Sequence, residues 1–203
     1  HTQRRRQRQM CIRDRYYKDK HFHILSSSPE RFIKRNKKTI ISQPIKGTKK
    51  RGKTFKEDVF LINSLKNSIK EKSENHMIVD LVRNDLSRIA KKGTVKVTEL
   101  SKINTYKNIH QMVSTIEAQI ENDVFFSKIL KSTFPMGSMT GAPKIKTMKI
   151  IDEEEKTSRG IYSGAIGYID PNKNFDFNVV IRTIIYDDKL SKISVNVGSG
   201  ITF

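Results

Sequence analysis

A lysine set between a rigid and a permissive residue is the first candidate for chemistry in this chain. In Gln43-Pro44-Ile45-Lys46-Gly47-Thr48, Pro44 restricts the backbone and Gly47 leaves room beside Lys46 for a chain or ligand to approach. A neutral amine held in that way is a nucleophile; the alternative is an ordinary turn lysine in a lysine-rich protein. Glu71 and Glu74 stand at i and i+3, so on a helix both carboxylates leave one face and could hold a hard cation such as Mg²⁺. Their alternative is a solvated acidic face paired with Lys70 and Lys72. The run Gly137-Ser138-Met139-Thr140-Gly141-Ala142-Pro143-Lys144 places two glycines and two hydroxyls ahead of a helix start, where free amides can receive a carboxylate or phosphate. Its lysine is not placed as in a Walker loop, which argues against a nucleotide, and a plain loop with a helix cap would also account for it. Arg182 sits in an otherwise apolar strand and calls for a partner such as a ligand carboxylate. Gly198-Ser199-Gly200 ends the last strand with amides suited to another.

The hydrophobic pattern supplies the elements that must position these groups. Phe22–Leu25, Arg31–Lys34 and Thr39–Ile41 read as short strands, with Ser26–Glu30 a turn and the basic stretch Lys49–Thr54 a loop. Val59, Ile62, Leu65 and Ile69, then Ile78, Leu81, Val82 and Ile89, predict one long helix or two abutting ones, closed by Gly93. Within that helix Asp80, Arg83, Asn84, Asp85 and Arg88 are expected to form a buried or half-buried hydrogen-bond network. Val95 and Val97, Ile103–Tyr106 and Met112–Ile116 read as strands, Val124–Leu130 as a short helix, and Lys144–Glu155 as a further one. The end is all strand: Gly164–Ile169, Asp176–Tyr186 and Leu190–Val197, the last two joined as a hairpin at Asp187-Asp188. Strands at both ends with helices between them give an α+β class rather than alternating βαβ units.

Composition narrows the partners. Among 203 residues 35% are hydrophobic and 30% charged, the balance of a soluble globular chain. The net charge of +19 invites a nucleic-acid reading. The lysines are scattered singly, however, and no aromatics interleave with them, so a lysine-rich surface and no nucleic-acid partner are expected. Cys11 is the one cysteine, which excludes an internal disulfide and suits a reducing cytoplasm. No apolar run approaches the roughly 18 residues of a membrane span, and no apolar core of a signal peptide follows the first arginines. Residues 1–15 hold six arginines against one aspartate and show no periodicity. They are read as a non-native or disordered basic segment, and 16–203, which contains no linker, as one domain.

Six motifs then add up to a resemblance. SPERF (Ser28–Phe32), PIKGT (Pro44–Thr48), SENHMIVDLVRNDLSR (Ser73–Arg88), GSMTGAPK (Gly137–Lys144), GAIGY (Gly164–Tyr168) and IRT (Ile181–Thr183) resemble the chorismate-utilising enzymes in wording, order and spacing, over Phe22 to Phe203. The resemblance implies that family's antiparallel sheets flanked by helices, chorismate as substrate and Mg²⁺ as cofactor. Lys46 implies the branch that aminates chorismate at C4, on the folate side, since the anthranilate-forming branch usually carries a small residue there. In that branch the lysine is implicated as a nucleophile adding to chorismate C2 while the C4 hydroxyl leaves; ammonia from a glutamine amidotransferase partner then displaces it. At an ordinary lysine pKa of about 10.4 little amine is free at pH 7, and a water-poor site holding Mg²⁺ would lower that value.

By the same resemblance Glu30 is the acid/base that helps the hydroxyl leave, and Glu74 a metal ligand with Glu71 a weaker match. Ser138, Tyr162, Arg182, Gly198 and Gly200 match positions that hold the substrate's carboxylates and pyruvyl arm, with Thr140 and Gly141 in the same loop. Lys144 lies in the motif without an assigned role. Two departures stand out. Gln111 occupies the place of a histidine in the anthranilate branch; it can hydrogen-bond a substrate oxygen but cannot carry a proton. His110, one residue earlier, faces the other side of its strand and is read as structural. The family pattern also extends beyond both ends, with further metal-ligating glutamates past Phe203. The chain is therefore expected to be a truncated catalytic part, inactive alone.

Overall fold

The computed structural model describes residues 14–201. The basic segment expected over 1–15 lies outside them except for Asp14 and Arg15, and Arg15 opens the first strand. In chain order the elements are β1 (Arg15–Asp19), β2 (Phe22–Ser26), β3 (Arg31–Asn36), β4 (Thr39–Gln43), β5 (Ile45–Lys50), α1 (Phe55–Asn67) and α2 (Ile69–Ser87). There follow β6 (Lys96–Thr105), β7 (Ile109–Gln119), α3 (Phe126–Thr133), α4 (Lys144–Glu154), β8 (Ala165–Ile169), β9 (Phe175–Val179), β10 (Thr183–Asp187) and β11 (Lys192–Val195). Every strand pairing among the described residues is antiparallel, so the α+β class holds.

The strands form a four-stranded sheet in the order β1-β2-β10-β11 and a seven-stranded one built on β7. One edge of β7 carries β6 along its length. The other edge is shared, β5 pairing with Ile109–Val113 and β4 with Ile116–Gln119. Pro44 separates β4 from β5 and still supplies a carbonyl to Ser114 N, so a proline is tolerated at a break between two pairings. From β4 the sheet continues through β3 and β9 to β8. Alternate residues of β7 divide its two faces. His110, Ser114 and Ile116 belong to the face under the helices: His110 bonds Asp58 of α1, Ser114 bonds Asn75 of α2, and Ile116 joins the core. That core packs Phe32, Ile33, Ile40, Ile116, Ile120 and Phe175 of the sheet against Val79 and Leu86 of α2 and Ile129 of α3. Each such side chain contributes about 1.5–3 kcal/mol by leaving water.

Four expectations change. Asp176–Tyr186 is two strands rather than one, because the chain changes sheet at Val180–Arg182: β9 belongs to the larger sheet and β10 to the smaller. Arg182 therefore lies in the link between strands, at φ +50°. Lys46 lies on a strand, not in a turn, and Lys49 and Lys50 belong to that strand rather than to a loop. The two strands expected over Val95–Val97 and Ile103–Tyr106 are one, β6, whose irregular register against β7 at Val97–Lys102 hides its continuity from simple alternation. The polar cluster of α2 is mostly solvated. Asp80 pairs with Arg83 and Arg88 donates to Asn84 on the exposed side, and Asp85 alone of the five is buried. Helix residues three and four apart can satisfy each other at the surface, so burial is not required.

The helical stretch resolves into two helices. Ser68 closes α1 through its N–H to the Leu65 carbonyl and caps α2, its hydroxyl accepting from Glu71 N at 3.3 Å. No helix among the described residues is long and apolar enough to cross a membrane.

Candidate active site

The two sheets meet where adjacent chains cross from one to the other together. The link after β2 and the link after β9 run side by side, tied by Ser27 N to the Arg182 carbonyl (3.2 Å) and by Val179 N to the Glu30 carbonyl (3.1 Å). This junction places Glu30 and Arg182, 152 positions apart by number, on neighbouring strands of backbone. Glu30 is only 5% exposed. Burial pushes its carboxyl up to about 7, against the Ser138 hydroxyl that donates to it, the Lys46 ammonium, the Ile45 amide and the Arg182 guanidinium. A carboxyl with that value can hold its proton near neutrality and give it up in a reaction.

Lys46 reaches the same point from β5. The register of β5 against β7 slips between Ile45 and Thr48, so Lys46 and Gly47 form a bulge. The half-buried Lys46 Nζ lies 3.5 Å from the Ser138 carbonyl, at the outer limit of hydrogen bonding. Ser138 is in a single 3₁₀ turn, Gly137–Met139, that closes onto α2; a Cβ on Gly137 would stand 2.6 Å from Leu81 Cδ2. Glu30, Lys46, Ser138 and Arg182 thus converge from four segments.

The carboxylates of α2 border this group. Gly47 has φ +85°, and a Cβ there would stand 2.8 Å from Glu71 Oε2. Glu74 Oε2 would lie 3.8 Å from a Cβ on Gly200, and the Tyr162 hydroxyl 2.5 Å from one on Gly198. The segment 198–200 therefore runs between Tyr162 and Glu74, and a side chain at 198 would have to push the Tyr162 hydroxyl aside. Glu71 borders the space beside Gly47 and Glu74 the segment at Gly200, and two carboxylates one helical turn apart are of a kind that could hold one side of a Mg²⁺ site that substrate and water would complete. No group of three or more metal-ligating side chains converges among the described residues.

The remaining candidates are placed as follows. Thr140 donates its hydroxyl to the Met136 carbonyl at 3.0 Å, which holds the loop rather than leaving the group free. Helix α4 starts without a side-chain cap, contrary to the plain-cap alternative. A Cβ on Gly141 would stand 3.0 Å from Thr147, fixing the loop against α4. Thr140 and Tyr162 line an open cleft of about 270 Å³ together with Met148 and Arg159. Gln111 is buried on β7, and neither polar atom of its amide finds a partner among the described residues. His110 is structural as expected, held between Thr105 Oγ1 (2.9 Å) and Asp58 Oδ1 (2.9 Å). The Arg51 guanidinium holds the Asp58 carboxyl well below the usual range.

Sequence spacing missed two anchors. Lys144 donates to the buried Asp85 carboxylate and lies 3.4 Å from the Thr133 carbonyl, pinning the start of α4 to α2. Arg159 donates to the Met139 carbonyl (2.8 Å) and Ser163 Oγ (3.1 Å) while pairing with Glu155. Both partners of each anchor are common surface residue types, and no local pattern marks a pair 59 positions apart.

An antiparallel α+β fold with a lysine, a protonatable glutamate and an arginine gathered at its sheet junction is that of a chorismate-utilising enzyme. The chain belongs to the chorismate binding enzyme family, whose model matches residues 2–203. It is 48% identical over 170 residues to the aminodeoxychorismate synthase, chloroplastic, of Arabidopsis thaliana, covering 83% of this chain and 18% of that protein. It is 40% identical over 178 residues to anthranilate synthase component 1 of Aquifex aeolicus, covering 88% of this chain and 36% of that protein. The crystal structure of anthranilate synthase component I from Streptococcus pneumoniae superposes with a TM-score of 0.75 at 31% identity, over 85% of this chain and 38% of that one. The chain thus spans well under half the length of the relatives it matches.

Proposed function

We propose that this chain is the catalytic part of an enzyme that aminates chorismate at C4 to 4-amino-4-deoxychorismate, using ammonia from a glutamine amidotransferase partner. One observation carries the reading: Lys46, on its bulge, reaches the Ser138 carbonyl beside a buried glutamate whose pKa is pushed up to about 7. In the reaction Lys46, as neutral amine, attacks chorismate C2 while Glu30 gives its proton to the C4 oxygen and water leaves. Ammonia then attacks C4, and the C2–N bond breaks to return Lys46. Arg182, with its planar fork, holds a substrate carboxylate. Ser138, Tyr162 and the amides of Gly198 and Gly200 hold the other polar groups, with Thr140 and Gly141 shaping the loop beside them. Gln111 offers its unpartnered amide to a substrate oxygen, since leaving it buried and unmatched would cost about 1–3 kcal/mol. Glu74 and Glu71 would hold Mg²⁺, which when bound supplies positive charge to a substrate carboxylate.

The second reading is formation of anthranilate, favoured by the similarity to anthranilate synthases. Lys46 and the amide at Gln111, which cannot move a proton, weigh against it. In the full polypeptide Lys46→Ala should lower 4-amino-4-deoxychorismate formation by about 100-fold or more, the scale lost with a catalytic group, with an unchanged circular dichroism spectrum. Product formation near the unsubstituted rate, followed by chromatography, refutes the assignment of Lys46.

A further inference from the structure

Asp85 is a buried carboxyl that the proposed reaction does not use. It is 4% exposed and lies on the inner side of α2, eleven positions from Glu74. Its neighbours are cationic: Lys144 from the start of α4, whose ammonium donates to it, and Arg88 from its own helix. Glu30 and Asp85 both line one partly open cavity, with Ile78, Val82, Thr133 and Gly137 among its other walls. The space measures about 20 Å³. That is enough for one water molecule, and the two acidic residues in its lining are the kind of polar partner a buried water needs.

We propose that Asp85 reloads Glu30 with a proton through a water held in the cavity the two carboxyls share. The proposal rests on the reading of Glu30 as the acid of the amination step. Each turnover leaves Glu30 as a carboxylate, because its proton departs with the C4 oxygen as water while the incoming ammonia leaves the product as an ammonium. One proton must therefore return to Glu30 before the next cycle. From the substrate side Glu30 faces Lys46 and Arg182, and from β3 the Arg31 side chain beside it is already engaged with Asp176 and Gln43. On the cavity side the route runs from Lys144 to Asp85, through the water, to Glu30. Lys144 keeps 15% of its side chain exposed, so the route reaches solvent at its outer end. Burial raises both carboxyls from their ordinary values, so each holds a proton more tightly than it would in water. Asp85 acts through Glu30 and does not touch substrate.

The test uses the full polypeptide with chorismate and ammonia. Asp85→Asn removes the transferable proton and keeps the shape; Val82→Leu fills the cavity and leaves both carboxyls in place. Both should lower kcat by roughly 10- to 100-fold with KM for chorismate within about twofold, and both should raise the solvent deuterium isotope effect on kcat. A purely structural role for Asp85 would not move that isotope effect in Val82→Leu. An infrared pH titration of the unsubstituted protein supplies a readout independent of turnover and of variant folding. The Asp85 carboxyl band, assigned by its loss in Asp85→Asn or by isotope labelling of aspartate, should shift as Glu30 ionises near pH 7. Full kcat in Asp85→Asn, an unchanged isotope effect in a folded Val82→Leu, or an Asp85 band indifferent to Glu30 each overturns the relay. Full turnover by Glu30→Gln instead overturns the underlying reading of Glu30, whatever the relay variants do.

Discussion

Glu30 shows how one side chain can link stability to chemistry. Its ordinary value of 4.5 rises to about 7 in the folded chain, and burial is the leading cause. The folded state therefore holds this proton more tightly than the unfolded state does. The stabilising contribution is full below about pH 4.5 and is lost as pH rises through about 7, so that above it the buried charge costs about 3 kcal/mol. Glu30→Gln should flatten this part of the stability profile. Urea unfolding of both forms at pH 5 and pH 8 measures it, and an unchanged difference between the two pH values would refute the buried acid. In the proposed reaction the same value predicts turnover that falls as pH rises above 7, where the protonated form is depleted.

At the scale of elements, a bulge and a helix cap decide where the functional groups point. Without the slip between Ile45 and Thr48, Lys46 and Gly47 would face opposite sides of the sheet in regular alternation; with it Gly47 meets Glu71 of α2 while Lys46 reaches the Ser138 carbonyl. Ser68 fixes the first turn of α2, so Glu71 and Glu74 emerge toward Gly47 and Gly200. Gly47→Ala forces a Cβ into a left-handed conformation and against the Glu71 carboxylate. We expect a stability loss of about 1–2 kcal/mol from the backbone alone and weaker Mg²⁺ binding as Glu71 is displaced. Calorimetric Mg²⁺ titration of a folded Gly47→Ala separates the two effects: unchanged affinity would remove Glu71 from the cation site.

Across the whole molecule the two sheets are unequally covered. The seven-stranded sheet carries the buried core under α2 and α3. In the four-stranded sheet the cross-strand row Tyr16, Leu25, Ile184 and Val195 is exposed. Amide exchange follows such differences in burial. The amides of β1 and β11 in this chain should exchange faster than those of β7 and β3 under native conditions, by at least about tenfold, or about 1.4 kcal/mol in opening free energy. Equal protection of β11 and β7, measured by mass spectrometry, would contradict this.

Local pattern made much of this protein legible. Alternation located most strands, and helical spacing located α1 and α2 with their possible break. The motifs brought Glu30, Lys46, Ser138 and Arg182 forward as candidates before any contact was known. Residue type and short-range spacing carry that information because each strand or helix must bury one face. Spacing left open what depends on partners distant in the chain. It read Asp176–Tyr186 as one strand, since an apolar pattern continues unbroken where a chain passes between two sheets that both need it. It expected all of the α2 cluster to be partly buried, because a helix face is not known until its neighbour is. It gave Lys144 no role, because the Asp85 that it meets comes from α2. Tertiary structure alone decided that Glu30 is buried and that its carboxyl is pushed up to about 7, for desolvation is a property of everything packed around a group and not of the group itself.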